Sequence, residues 1–354
     1  MHGTRLCNTV SEAVLATAVA ARKESLLEQL ADSCARHAAA GDGQATARLA
    51  DRFEAVIDHF LPRYVQVDLS ARHYQIRYRR ASVAVFSLAA LAVIVASAQY
   101  IFGLPHAFVA AEVAAIASIL LIFHLGNRFG WHRNWVDCRF LAERMRCGIF
   151  VAFLSGKSDA HEELHWSDRL VEESWCLEEF GRRWLQRPRL ESAPPAALPI
   201  LRDFMRRSWL NGQRDFHMRK QARGMCAHLS VSAASETLFW LTFVTAILHL
   251  LPHGWLRAVH VDGALSREVL TFLVIALPAL GTAFAGVRGH FEFKKQATRS
   301  AVMVRHLRHL ERRLRAVDDL EGLYHMVWET EQLMLQENAG WHLNTGFNEI
   351  VVEA

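Results

Sequence analysis

Four long apolar runs constrain this chain more than anything else in it. Ala81–Phe102 is 22 residues without a charge, and Ala107–Leu125 is 19 residues with one, Glu112. Thr237–Leu256 is 20 residues without a charge, and Val269–Val287 is 19. A helix of about 20 apolar residues matches the hydrocarbon core of a bilayer. The first two runs are joined by "GLPH" at 103–106, which leaves room only for a tight turn, and the other two by residues 257–268. The expected fold is therefore all-α: a polytopic membrane protein with four spans in two hairpins. A cytoplasmic helical bundle and a coiled-coil-like C-terminal helix complete it.

Basic residues give the orientation, because loops rich in Arg and Lys stay on the cytoplasmic side. Arg72, Arg77, Arg79 and Arg80 precede the first span, and Arg128 and Arg133 follow the second. Arg214, Arg219, Lys220 and Arg223 precede the third, and Arg288, Lys294, Lys295 and Arg299 follow the fourth. The 103–106 turn has no Arg or Lys, and in the 257–268 loop Arg257 and Arg267 are offset by Asp262 and Glu268. Both termini and the segment 126–222 are expected in the cytoplasm. The organisation read from this is N-terminal helices over 1–80, a hairpin over 81–125, a helical segment over 126–222, a second hairpin over 223–288 and a C-terminal helix and tail over 289–354. Five of the 40 basic residues are lysine and 35 are arginine. The six cysteines are scattered with no CxxC, which reads as reduced thiols. The N-terminus "MHGTRLCNTVSEAV" lacks the apolar core of a secretory signal.

Outside the spans the pattern is helical. "TARLADRFEAVIDHF" puts Leu49, Phe53, Val56 and Phe60 on one face, and "GDG" at 41–43 separates it from an earlier helix around 10–38. Met303, Leu307, Leu310, Leu314 and Val317 repeat at four-three spacing, as in a coiled-coil seam. "RPRLESAPPAALP" (187–199) reads as a linker. The only strand-like stretch is the terminal "NEIVVEA". "RNWVDCRFLAERMRCGIFVAFLSG" (133–156) is too charged to cross a bilayer and too apolar for a solvated loop. On a helix it has two apolar faces beside a thin stripe of Arg139, Glu143 and Arg146, spaced for Arg139–Glu143 and Glu143–Arg146 pairing. That suits a docking helix packed on two sides; an interfacial helix lying on headgroups is the alternative. "HYQIRYRRA" before the first hairpin and "FHMRKQARG" before the second suggest a faint internal repeat that sets Arg139 opposite Arg299.

Several groups are candidates for chemistry. "HEELH" at 161–165 matches H-E-x-x-H, in which His161 and His165 would bind zinc and Glu162 would act as general base. Asp159 and Glu162 form a capping-box pattern, so the motif reads as a solvated helix start, and a membrane-bound zinc peptidase is kept only as an alternative. No phosphate loop or dinucleotide fingerprint occurs. The expectation is a chain that is not an enzyme, needs no cofactor and, lacking aromatic residues interleaved with its basic clusters, binds no nucleic acid. Glu112 and Glu236 are carboxylates at or inside spans and so are candidates to line a path. Pro278 and Gly281, with Ala285 and Gly286 in "PALGTAFAG", are candidates for a gate hinge or for close helix packing.

Three stretches, "NWVDCRFLAERMRCGIFVAFLSG", "WLNGQRDFHMRKQARGMCAHL" and "LPALGTAFAGVRGHFEFKKQATRSAVMVRHLRHLERRL", together resemble the SLATT superfamily over roughly 70–340. The resemblance is to its four-span form. It implies an oligomeric effector of bacterial anti-phage defence that forms a pore or disrupts the inner membrane, triggered by a nucleotide signal or by a SLOG-type or cyclic-nucleotide-linked sensor partner. This chain departs from such systems in having no Rossmann-like sensor of its own. A non-conducting membrane scaffold for a sensor is the other alternative.

Overall fold

The structure, a computed structural model, describes residues 10–37, 43–155, 175–251 and 267–346. Among the described residues every regular element is a helix: α1 (Glu12–His37), α2 (Gly43–Phe102), α3 (Ala107–Phe129), α4 (Trp131–Ser155), α5 (Trp175–Leu185), α6 (Leu198–Phe204), α7 (Gly212–Leu250), α8 (Arg267–Phe291), α9 (Phe293–Leu314) and α10 (Leu320–Gly346). A short 3-10 turn, Pro195–Ala197, leads into α6, and a π-helical stretch, Met205–Asn211, joins α6 to α7. The 187–199 linker is thus helical from Pro195 onward.

Four of these helical stretches are long and apolar enough to cross a membrane, with mean hydropathy of 2.3, 2.2, 1.5 and 2.1 in their most apolar windows. Only 6–22% of the residues in those windows are buried within the protein. Leu120, Leu121, Trp240 and Phe243 are all more than half exposed. In water, apolar surface on this scale would be costly, at about 25 cal/mol per Å². In hydrocarbon it is the solvent-matched face. The chain is a membrane protein. The four apolar runs fall on these helices at 81–102, 107–125, 237–251 and 269–287; residues 252–256 of the third run lie outside the described residues.

The chain divides into two compact units. One combines Met1–Gln75, His132–Arg219 and Ser300–Glu349, three stretches far apart in sequence. Its core gathers the buried face of α2 (Leu49, Phe53, Val56, Phe60), most of α4, and Met303, Leu307, Leu310 and Leu314 of α9. Phe53 touches Phe153 and Phe204 with ring centroids 4.5 and 4.9 Å apart, within the range of favourable aromatic pairs. The seam on α9 is shorter than its spacing suggests. The helix ends at Leu314, the Val317 N–H closes a turn onto the Leu314 carbonyl, and the buried side chains pack inside this unit. A seam that finds its partner in the same chain needs no second copy.

The other unit combines Ile76–Trp131 with Lys220–Arg299 and holds the four spans. α2 turns into α3 through Gly103, whose φ of 61° suits a residue without a side chain. α3 ends at Gly130, also left-handed, whose N–H reaches the Asn127 and Gly126 carbonyls. α8 ends in the same manner at Glu292, a non-glycine residue at φ 45°, with the Gln296 amide donating to the Phe291 carbonyl. Each hairpin is therefore followed by a break with positive φ before its next helix.

Candidate functional sites

In the membrane unit the small residues of α8 serve close approach. Ser235 on α7 donates a hydrogen bond of 3.1 Å to the Gly281 carbonyl, and a Cβ at Gly281 would sit 3.3 Å from the Phe239 ring. At Gly286 the fit is tighter, since a Cβ there would lie 2.5 Å from the Phe86 ring. Pro278 lies within α8 and removes a donor from the helix ladder three residues before Gly281. Phe102 and Phe272 meet at 5.6 Å between ring centroids, tying α2 to α8. A membrane core offers no hydrophobic drive between helices, so such contacts and interhelical hydrogen bonds carry the association.

Glu112 is half-buried on α3, and Glu236 is exposed on α7. Neither carboxylate has a hydrogen-bond or ion-pair partner among the described residues. The two are not brought together by a shared contact. The motif His161, Glu162 and His165 lies outside the described residues, as does "NEIVVEA".

In the other unit, α4 is a fully packed helix. Cys138, Phe140, Leu141 and Met145 are completely buried, and Cys147, Ile149 and Val151 nearly so. Its polar stripe forms a ladder: Arg139 pairs with Glu143, and Glu143 with Arg146. Arg139 also reaches Asp68 at 3.3 Å, and Asp68 holds Arg72 at 2.8 Å. The Trp175 indole N–H donates to Asp137 at 3.2 Å, fixing the start of α5 against α4. Deeper in, Arg63 pairs with Glu179 at 3.1 Å with both side chains about nine-tenths buried.

A second acidic node is Asp203, 5% exposed, which accepts from Arg36, Arg206 and Arg207 at 3.0, 2.6 and 3.1 Å. Burial opposes its charge, but the three guanidinium groups win and hold the carboxyl well below the usual range. Glu331 shows the opposite balance. Burial pushes its carboxyl up to about 8, against the pull of Arg144.

Arg139 and Arg146 face a cavity of about 530 Å³ that the sequence reading did not find. Arg22 and Arg36 of α1, Arg72 of α2, and Arg207 and Arg219 beyond the linker also line it. These positions are scattered over nearly two hundred residues, so no local motif announces them. The one available signal is compositional. Arginine outnumbers lysine seven to one, and arginine is the residue suited to partly buried ion pairs and to planar recognition of oxyanions.

Set against family models, curated proteins and solved structures, the chain finds no match in any of the three comparisons.

Proposed function

We propose that this chain is an oligomeric effector of the bacterial inner membrane, with both termini cytoplasmic, that opens a path through the bilayer during anti-phage defence. The observation that carries the reading is Glu112. It is the only Asp, Glu, Lys or Arg in its span, and it has no hydrogen-bond or ion-pair partner among the described residues. A carboxylate within a span faces a bundle interior or a water path in most cases. One protomer with four spans is too small to enclose a wide path, so neighbouring copies supply the rest of the wall. The Arg and Lys asymmetry around the spans supports the orientation. The likeness of residues 70–340 to the SLATT superfamily supports the defence role and a trigger from a nucleotide signal or sensor partner. α4 and the α9 seam are covered within the chain, so the contact between copies falls to the apolar faces of the spans.

Expression of the triggered protein in a bacterial host should collapse the membrane potential, read by a potential-sensitive dye. Glu112→Gln should change the rate of collapse while leaving the oligomer intact in mild detergent. A bulky residue at Gly281 should block assembly or opening, because it would drive into Phe239. An intact potential with full-length protein in the membrane would favour the non-conducting scaffold.

A further inference from the structure

The four spans are unequally covered. Burial within the protomer reaches 22% and 17% of the most apolar windows of α2 and α8, but only 11% in α7 and 6% in α3. α2 and α8 meet through Phe102 and Phe272 and through Phe86 against Gly286, and α7 meets α8 through Ser235 and Gly281. α3 and α7 are thus the spans with the most surface left for something else to cover.

Each of these two surfaces carries a stripe at four-three spacing whose members are all exposed. On α3 it is Val113, Ala117, Leu120 and His124, and on α7 it is Glu236, Trp240, Phe243 and Ile247. Each stripe is apolar but for one group. Neither His124 nor Glu236 has a hydrogen-bond or ion-pair partner among the described residues. Both lie just inside the same edge of the bilayer. α2 begins where α8 ends, at Phe86 and Gly286, so α3 ends and α7 begins at that edge as well. His124 stands one turn before Arg128, within the second apolar run. Ser235, next to Glu236, is bonded to Gly281 within the fourth run, while Ser232, one turn earlier, accepts from Arg288 just beyond the end of that run. An ionisable group facing hydrocarbon is costly, and such groups turn to a bundle interior or to one another.

We infer that α3 of one copy packs antiparallel on α7 of the next, with a ring N–H of His124 donating to Glu236 of the neighbouring copy. The inference rests on the oligomeric reading above and names the interface that reading requires. Setting His124 on Glu236 fixes the register. That one register also sets Leu120 on Trp240, Ala117 on Phe243 and Val113 on Ile247, because the two stripes have the same spacing and run in opposite directions. A small residue opposite the Phe243 ring allows the close packing on which helix association in lipid depends. The occupant is a second copy because it brings a base to the acid and an acid to the base, and acyl chains bring neither. A lone polar pair in an apolar seam also selects the register. α3 and α7 are different surfaces of one protomer, so the contact is head-to-tail, and repeated contacts of that kind close into a ring where the rotation permits.

Two differently tagged forms of the full-length protein, both carrying Cys7→Ser and Cys226→Ser, test the pairing. One also carries His124→Cys and the other Glu236→Cys. Co-expressed in a bacterial membrane and mildly oxidised, they should form a disulfide that joins the two tags, which requires Cα atoms within about 7 Å. Val113→Cys with Glu236→Cys, offset by about 16 Å along the seam, should not link. Association is read separately, by energy transfer between labelled copies in liposomes as the protein-to-lipid ratio is varied. His124→Glu, which sets two carboxylates together, should weaken association about tenfold, and adding Glu236→His to the same chain should restore it. An oligomer that persists without the 124–236 disulfide, or that forms it only when both cysteines sit on one chain, would overturn this interface and leave the oligomeric reading standing. Association indifferent to His124→Glu, or a double exchange no better than the single one, would also overturn it. Protein that stays monomeric at every ratio would overturn both the interface and the oligomeric reading. A 124–236 link in protein that never conducts would uphold the interface and count against the path alone.

Discussion

At Gly286 a single missing Cβ decides whether α8 can lie against Phe86. Gly286→Leu should destabilise the membrane unit by about 1–3 kcal/mol through overpacking, seen as a lower thermal midpoint in detergent. Adding Phe86→Ala should restore part of the loss. Glu331 offers a test by pH. Its folded carboxyl titrates near 8 and its unfolded one near the ordinary 4.5, so the native state holds a proton that the unfolded state has released across that interval. Stability should therefore fall as pH rises from about 5 to about 8, by up to roughly 1.4 kcal/mol per pH unit for one proton, and level off above that. Glu331→Gln should flatten this slope in a series of thermal melts; an unchanged slope would mean that Arg144 keeps the carboxylate charged. The sequence reading did not anticipate Glu331. A glutamate on an amphipathic helix looks solvated until the helices that bury it are known.

Among the elements, α4 was the most legible. Its two apolar faces, its charged stripe and both pairings were readable because i,i+3 and i,i+4 neighbours are fixed by helix geometry alone. What covers those faces was not readable, since α2, α6 and α10 reach it from far along the chain. The same holds for the α9 seam: a four-three spacing shows that a face is buried but not against what. The cavity is the extreme case, assembled from arginines whose only relation is tertiary. The Arg63–Glu179 pair tests this packing. Glu179→Leu would leave Arg63 buried with the neutral Gln66 as a polar neighbour, and should cost about 3–5 kcal/mol. The double variant Arg63→Met, Glu179→Leu should recover most of that, because it leaves no buried unpaired charge. A double variant as unstable as the single one would mean the ion pair specifies the bundle rather than merely occupying it.

For the molecule as a whole, the all-α fold and its four spans followed from length and hydropathy, properties that the bilayer imposes on any sequence crossing it. Orientation is a separate claim. A single cysteine placed at position 262 should react with a membrane-impermeant thiol reagent only from the periplasmic side of the inner membrane, and one at the exposed position 308 only after the membrane is breached. Labelling of 262 from the cytoplasm would invert the topology. The path through the oligomer is the central claim, and purified full-length protein reconstituted in liposomes tests it most directly. With trigger present, entrapped ions should escape at a rate that rises steeply with protein-to-lipid ratio and changes with Glu112→Gln. Liposomes that stay sealed at every ratio, holding correctly folded protein with its trigger, would contradict it.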